Sequence, residues 1–277
     1  MKRLRALLRL LAGISALAWL WARIELAARR GGAPLEETTR RARRAAGRIH
    51  RGVGLEIEVR GFAPPGTALL VANHRSYMDI AALLACVECT FLAKVEMSRW
   101  PLFGALARRL GTVFVDRGCK ESRRAARLRL GELLERGCRV AVFPEGTTTR
   151  GPGCLPFQPG MFYTAARLGV PIVPVALHYE HREDAWVGDD TLLRHFFERF
   201  ARSSVRLRVS FGPQLAHPDG GALLRHAEAW IAEAIERAER SFRSREAATQ
   251  MGGFHGRPQQ LVSGGAALPS GADAPGR

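Results

Sequence analysis

The turn Asn73-His74-Arg75-Ser76-Tyr77-Met78-Asp79 carries the side chains best suited to moving a proton near neutral pH. His74 and Asp79 have four residues between them. An imidazole titrates in the physiological range, and a carboxylate beside it holds one tautomer and stabilises the imidazolium that forms. Such a pair can serve as a general base. The spacing alone is common by chance, and a structural pair, or no pair, is the plainer reading of it.

The elements around the turn make the pairing physical. Ala68 to Ala72 is an apolar run that reads as a buried strand, and an apolar helical pattern begins at Ile80. Ser76 is placed to cap that helix, and Asp79 falls in its first turn, facing back toward His74. Downstream, Thr90 to Lys94, Gly111 to Arg117 and Arg139 to Phe143 read as further short strands, with Val170 to His178 and Val205 to Phe211 after them. Leu55 to Arg60 alternates like an edge strand. Helical patterns separate them: Pro101 to Leu110, Glu121 to Arg136, Gly160 to Leu168, Thr191 to Phe200 and Gly221 to Phe242. The alternation predicts an α/β fold, a mostly parallel central sheet flanked by helices. Ligands of such sheets bind outside the carboxyl ends of the strands. His74, Lys94, Arg117 and Glu145 each follow a strand candidate, so one pocket is expected to gather a base, two cations and a carboxylate.

The formal charge is +16 and 47% of the residues are apolar. The first value points to an anionic partner and the second to a substantial core. Residues 1 to 50 are set apart. Leu10 to Ala22 is uncharged, carries Trp19 and Trp21, and is flanked by Arg9 and Arg23. It is short of the roughly 20 residues a spanning helix needs. A helix lying in or dipping into the cytoplasmic leaflet fits better than a signal peptide or an ordinary buried helix, and a single spanning helix with Arg9 or Arg23 snorkelling stays as the alternative. After the break Gly31-Gly32-Ala33-Pro34, a basic helix from Leu35 to His50 would add attraction to anionic lipid. The expected organisation is a membrane-associated helical pair (1–50), a catalytic domain (51–243) and a disordered tail (244–277). The five cysteines are odd in number and scattered, as in reduced thiols, and the lone Cys86-x-x-Cys89 is not taken as a metal or redox motif. His178-Tyr179-Glu180-His181 lacks a third ligand at fitting spacing, so no metal site is expected.

Four blocks in order resemble the glycerolipid acyltransferases of the 1-acylglycerol-3-phosphate acyltransferase (PlsC-like) type: Asn73 to Asp79, Gly111 to Arg117, Phe143-Pro144-Glu145-Gly146-Thr147 and Val170 to Val175. They span about residues 70 to 177. The resemblance implies transfer of a fatty acyl group from a thioester, acyl-CoA or acyl carrier protein, to a lysolipid hydroxyl, with no further cofactor. His74 would be the general base and Asp79 its orienting partner. Lys94 and Arg117 would bind the anionic headgroup, and Glu145 would bind lysolipid or hold a cation. Backbone amides at Gly146 and Thr147 would face the oxyanion. The reading is phosphatidic acid synthesis from 1-acylglycerol-3-phosphate at the cytoplasmic face of the inner membrane.

One departure opens an alternative. Many members carry arginine after the EGT of the third block; here Thr148 stands there and the next arginine is Arg150. A hydroxyl does not replace a bidentate guanidinium on phosphate. Either Arg150 reaches in from a shifted loop, or the acceptor is another lysolipid, such as lyso-ornithine lipid. A nucleic-acid-binding role, suggested by charge alone, leaves the four blocks unexplained. A non-catalytic lipid-binding protein on the same fold is opposed by the intact His74, Asp79 and Glu145.

Overall fold

The computed structural model describes residues 1–252 apart from Ala33 and Asp189. Two N-terminal helices, α1 (Lys2–Arg29) and α2 (Leu35–Gly52), precede strands β1 (Leu55–Arg60) and β2 (Leu69–Ala72). Then come α3 (Met78–Cys86), β3 (Thr90–Lys94), α4 (Phe103–Arg109), β4 (Val113–Val115), α5 (Lys120–Glu135) and β5 (Val140–Val142). The chain continues with α6 (Gly160–Leu168), β6 (Ile172–Tyr179), α7 (Leu192–Phe200), β7 (Val205–Phe211) and α8 (Gly220–Gly252).

The strands form one sheet in the order β1-β7-β6-β2-β5-β3-β4. From β6 to β4 every neighbour is parallel, while β7 runs antiparallel to β6 and carries β1 parallel to itself. The sheet is therefore mostly parallel, with a reversed pair at one edge, and Leu55 to Arg60 is an edge strand as its alternation predicts. The central strand β2 is buried at every position. Its side chains alternate between two cores, as a period of two requires. Leu70 and Ala72 join one with Leu83, Phe91, Val175 and Leu207. Leu69 and Val71 join the other with Leu130, Phe162 and Ile172.

Helix α8 covers the second face with Leu223, Ala227, Ile231 and Ile235 at helical spacing. The Asp219 carboxylate caps its start, accepting from the Gly221 and Ala222 amides at 2.8 and 3.1 Å. The helix passes the expected end at Phe242 and continues through Gly252. Residues 244–248, Ser-Arg-Glu-Ala-Ala, are mostly good helix formers, which explains the extension. The rest of the expected tail, 253–277, lies outside the described residues.

The chain divides into two compact units, Met1–Arg240 and Ser241–Arg277. Helices α1 and α2 belong to the first, with the sheet. Leu20 and Ile24 of α1 pack with Ala42 and Ala45 of α2 and with Leu106 and Leu110 at α4. Opposite that seam α1 exposes Leu4, Leu7, Leu8, Leu11, Ile14, Trp19 and Leu26. Among the described residues it is the one helix long and apolar enough to cross a membrane.

Candidate active site

The carboxyl ends of the parallel strands line up the expected residues. His74 follows β2, Glu145 follows β5, Lys94 ends β3 and Arg117 follows β4. Adjacent strands lie about 4.8 Å apart, so these backbone positions span roughly 14 Å along one edge.

Where β2 stops, Asn73 finishes the ladder with its side chain. Its amide donates to the Leu177 carbonyl at 2.9 Å and accepts the Leu177 N–H at 2.7 Å. His74 is thereby held at the rim. Its Nδ1 lies 2.8 Å from Asp79 Oδ2, and its ring stacks on Phe143 with centroids 4.0 Å apart. The histidine side chain is 17% exposed and the aspartate is fully buried. With Nδ1–H donating to Asp79, Nε2 is the acceptor left for a substrate.

Four donors converge on Asp79. Oδ2 takes His74 Nδ1 together with the Arg75 and Ser76 amides, at 2.6 and 2.9 Å, and Oδ1 takes the Tyr179 hydroxyl at 2.7 Å. The carboxylate fixes the turn as well as the imidazole. Ser76 is not the strong cap the sequence suggests. Its Oγ is 3.5 Å from the Met78 amide, at the limit of a hydrogen bond. The Asp79 carboxylate instead binds the amides of the turn that precedes the helix. Among the described residues no hydrogen bond joins Ser76 to His74.

Glu145 is a brace between loops. Oε1 accepts the His74 amide at 2.7 Å and Oε2 the Leu155 amide at 2.8 Å. Burial pushes its carboxyl above the ordinary range, while the two amide hydrogen bonds pull the other way. Its neighbour Gly146 has φ +73°, the left-handed conformation glycine adopts without strain. The Gly146 amide already donates to the Phe143 carbonyl at 3.1 Å. Of the two amides expected to face an oxyanion, only that of Thr147 makes no hydrogen bond among the described residues.

The cations occupy different surroundings. The Arg117 guanidinium bends over the third block and donates to the Gly146 carbonyl. Partial burial lowers its pKa, opposed by Glu96. Lys94 is half exposed and ion-paired with Glu96 at 2.8 Å, and no contact ties it to the dyad. Arg150 pairs with Asp190 at 3.2 Å. Its loop is anchored to the catalytic turn, because the Thr149 amide donates to the His74 carbonyl at 3.0 Å.

Four residues assigned no role from sequence prove important here. Tyr179 completes the shell of Asp79. Phe143 forms the floor under His74. Arg75 is buried and donates to the Thr149 and Gly153 carbonyls at 3.0 and 2.6 Å. The Trp186 amide donates to the Arg75 carbonyl at 2.8 Å, and its ring meets Tyr77 edge-on. Arg75 lies inside the first block and was in view. Tyr179 and Trp186 stand about a hundred residues downstream, where no local pattern signals the contact. The five cysteines are free thiols. Among the described residues no three His, Cys, Asp or Glu side chains gather as a metal site.

Residues 56–178 match the family model described as Acyltransferase. The chain is 39% identical over 220 residues to a lyso-ornithine lipid O-acyltransferase of Pseudomonas aeruginosa, covering 76% of this chain and 85% of that protein. It is 36% identical over 127 residues to a 1-acyl-sn-glycerol-3-phosphate acyltransferase of Neisseria gonorrhoeae, covering 46% of this chain and 50% of that one. The solved 1-acyl-sn-glycerophosphate (LPA) acyltransferase PlsC of Thermotoga maritima superposes with a TM-score of 0.65 at 21% identity. That match covers 86% of this chain and 98% of the other, and shows a common fold.

Proposed function

The chain belongs to the acyltransferase family, and on that premise we propose that His74 is the general base for transfer of a fatty acyl group from a thioester to a lysolipid hydroxyl. The observation that carries the reading is the 2.8 Å contact between His74 Nδ1 and a buried Asp79, which leaves Nε2 as acceptor at the open rim. Nε2 takes the hydroxyl proton as the oxygen attacks the thioester carbonyl. The tetrahedral oxyanion is met by the Thr147 amide. Collapse expels the thiolate, which recovers the proton from the imidazolium. The step balances with the two substrates and His74, the donor being acyl-CoA or acyl carrier protein.

The acceptor we infer is lyso-ornithine lipid. Thr148 stands where a phosphate-binding arginine is expected, and Arg150 is shared with Asp190. A cation and an anion side by side suit a headgroup with its own carboxylate and ammonium, while Asp190 repels a phosphate dianion. The relative matched over 85% of its length carries that acceptor in its name. Arg117 beside the third block favours lysophosphatidate as the second reading. The test is the purified enzyme with one acyl thioester and each acceptor in turn. We expect kcat/KM about tenfold higher with lyso-ornithine lipid. The reverse order overturns the acceptor and leaves acyl transfer standing; turnover of neither removes acyl transfer.

Membrane association at the cytoplasmic face is part of the same reading. The exposed stripe of α1 suits a leaflet, with each inserted leucine contributing about 1.5–3 kcal/mol. Arg9 is turned into the protein, which supports a helix lying on the membrane rather than through it. Leu4, Leu8 and Leu11 changed together to Gln are expected to release the enzyme from anionic vesicles. Unchanged sedimentation with vesicles would remove the stripe as the anchor.

A further inference from the structure

We propose that Arg9, on the membrane-facing helix, is a positioning residue that holds the catalytic turn in place through a strap made of residues 182–186 and 192–203. Its guanidinium sits in a socket remote from the dyad in sequence. Nη1 donates to the Phe200 and Arg202 carbonyls at 3.0 and 2.7 Å, and Nη2 to the Ser203 carbonyl at 2.6 Å. The Phe200 carbonyl ends α7 and the other two follow it, where a cation both satisfies unpaired acceptors and complements the helix dipole. The other wall is Gly54, where an added Cβ would overlap the guanidinium carbon. The fork of donors fits this arrangement as a single ammonium does not.

From the socket a continuous set of contacts runs to the dyad. Arg202, whose carbonyl Arg9 binds, reaches back to the fully buried Asp184 at 2.9 Å. Two residues on, the Trp186 amide holds the Arg75 carbonyl and its ring packs against Tyr77. The Tyr77 hydroxyl in turn meets Nδ1 of buried His195 on α7, at 3.3 Å. Arg75 and Tyr77 flank Ser76 in the turn whose amides bind Asp79. The strap thus grips both sides of the segment that orients the imidazole, and its far end is fastened by α1. A displacement there moves His74 relative to a bound hydroxyl, and positional errors of about 1 Å cost up to a hundredfold in rate.

The test compares Arg9→Ala, Arg9→Lys and Gly54→Ala in the full-length purified protein on anionic vesicles. Two readouts are taken: kcat and KM per folded molecule, and hydrogen exchange at the Arg75 and Ser76 amides. We expect Arg9→Ala and Gly54→Ala to lower kcat about tenfold with KM and vesicle binding within twofold of wild type. Exchange at the two amides should rise in both, and Arg9→Lys should recover part of each loss. The exchange arm stands even if the assigned acyl transfer fails, so the two readings fail separately. Unchanged exchange together with unchanged kcat per folded molecule would falsify the coupling. So would a loss that appears solely as lower thermal stability or weaker vesicle binding. Should Arg9→Ala not fold, Asp184→Asn breaks the same link from its middle and is judged by the same outcomes.

Discussion

The dyad and the cations share one edge of one sheet, yet their surroundings have little in common. His74 and Asp79 lie over the central strand, and each donor to the buried carboxylate comes from the fold itself. Lys94, at the end of β3, and Arg150, on the loop after the third block, are about half exposed and paired with surface acids. The first arrangement is set before a substrate arrives, which is what proton transfer at a fixed distance needs. The second gives up weak ion pairs on binding, since exposed pairs contribute about 0–1 kcal/mol. On the proposed reading one end serves rate and the other recognition, so they should fail differently.

The largest effect is expected at His74. His74→Ala should lower kcat about a thousandfold while the protein stays folded. Retention of more than a tenth of the activity would remove the proposed base. Next comes the shell of Asp79. Tyr179→Phe leaves Oδ1 buried without its donor and should cost about 1–3 kcal/mol in stability. It should also lower kcat several-fold with KM unchanged; a KM effect alone would move Tyr179 to the recognition end. Arg117→Ala should raise the acceptor KM about tenfold and leave kcat nearly intact, whereas Lys94→Ala should raise it no more than about threefold. Equal effects from both would erase the distinction drawn between a guanidinium folded over the third block and a solvent-facing ammonium.

The smallest effect on catalysis is expected from acid. Burial lowers the pKa of His178 to about 4, against 6.5 for the free side chain. The folded state therefore binds this proton less tightly than the unfolded state. The stability it lends is present above pH 6.5 and is lost as pH falls toward about 4, a change on the order of 3 kcal/mol. Urea unfolding across that window should show the slope, and His178→Gln should flatten it. An equal slope in the variant would assign it to other groups.

Much of the catalytic end was legible because it is written locally. The apolar run before His74, the helical pattern after it and the spacing to Asp79 together predict the turn, and the short range of those contacts explains why. The parallel core of the sheet follows from the alternation of strand and helix signals. The reversal of β7 and β1 does not, because hydrophobic alternation along a strand is the same in either direction. Glu145 illustrates a second limit. A carboxylate in a family block reads as a ligand for substrate or cation, and nothing local announces that its two oxygens also accept the backbone amides of His74 and Leu155. Ser76 illustrates a third, since the residue type favours a cap, yet its Oγ lies at the limit of hydrogen-bond distance from the Met78 amide, while Asp79 holds the Arg75 and Ser76 amides of the turn instead.

The sequence by itself determined the chemistry: a histidine and an aspartate on a strand-to-helix turn, three further family blocks in order, and an apolar stretch bounded by arginines. Those are properties of residue type and short spacing, which the chain carries before it folds. Tertiary structure decided what holds the chemistry still. Tyr179 reaches Asp79 across a separation of 100 residues, and Arg9 reaches the end of α7 across 191. Contacts of that kind come from strand order and helix docking, which local patterns do not encode. They make a half-buried arginine of an apolar helix part of the same mechanical unit as the turn that bears His74.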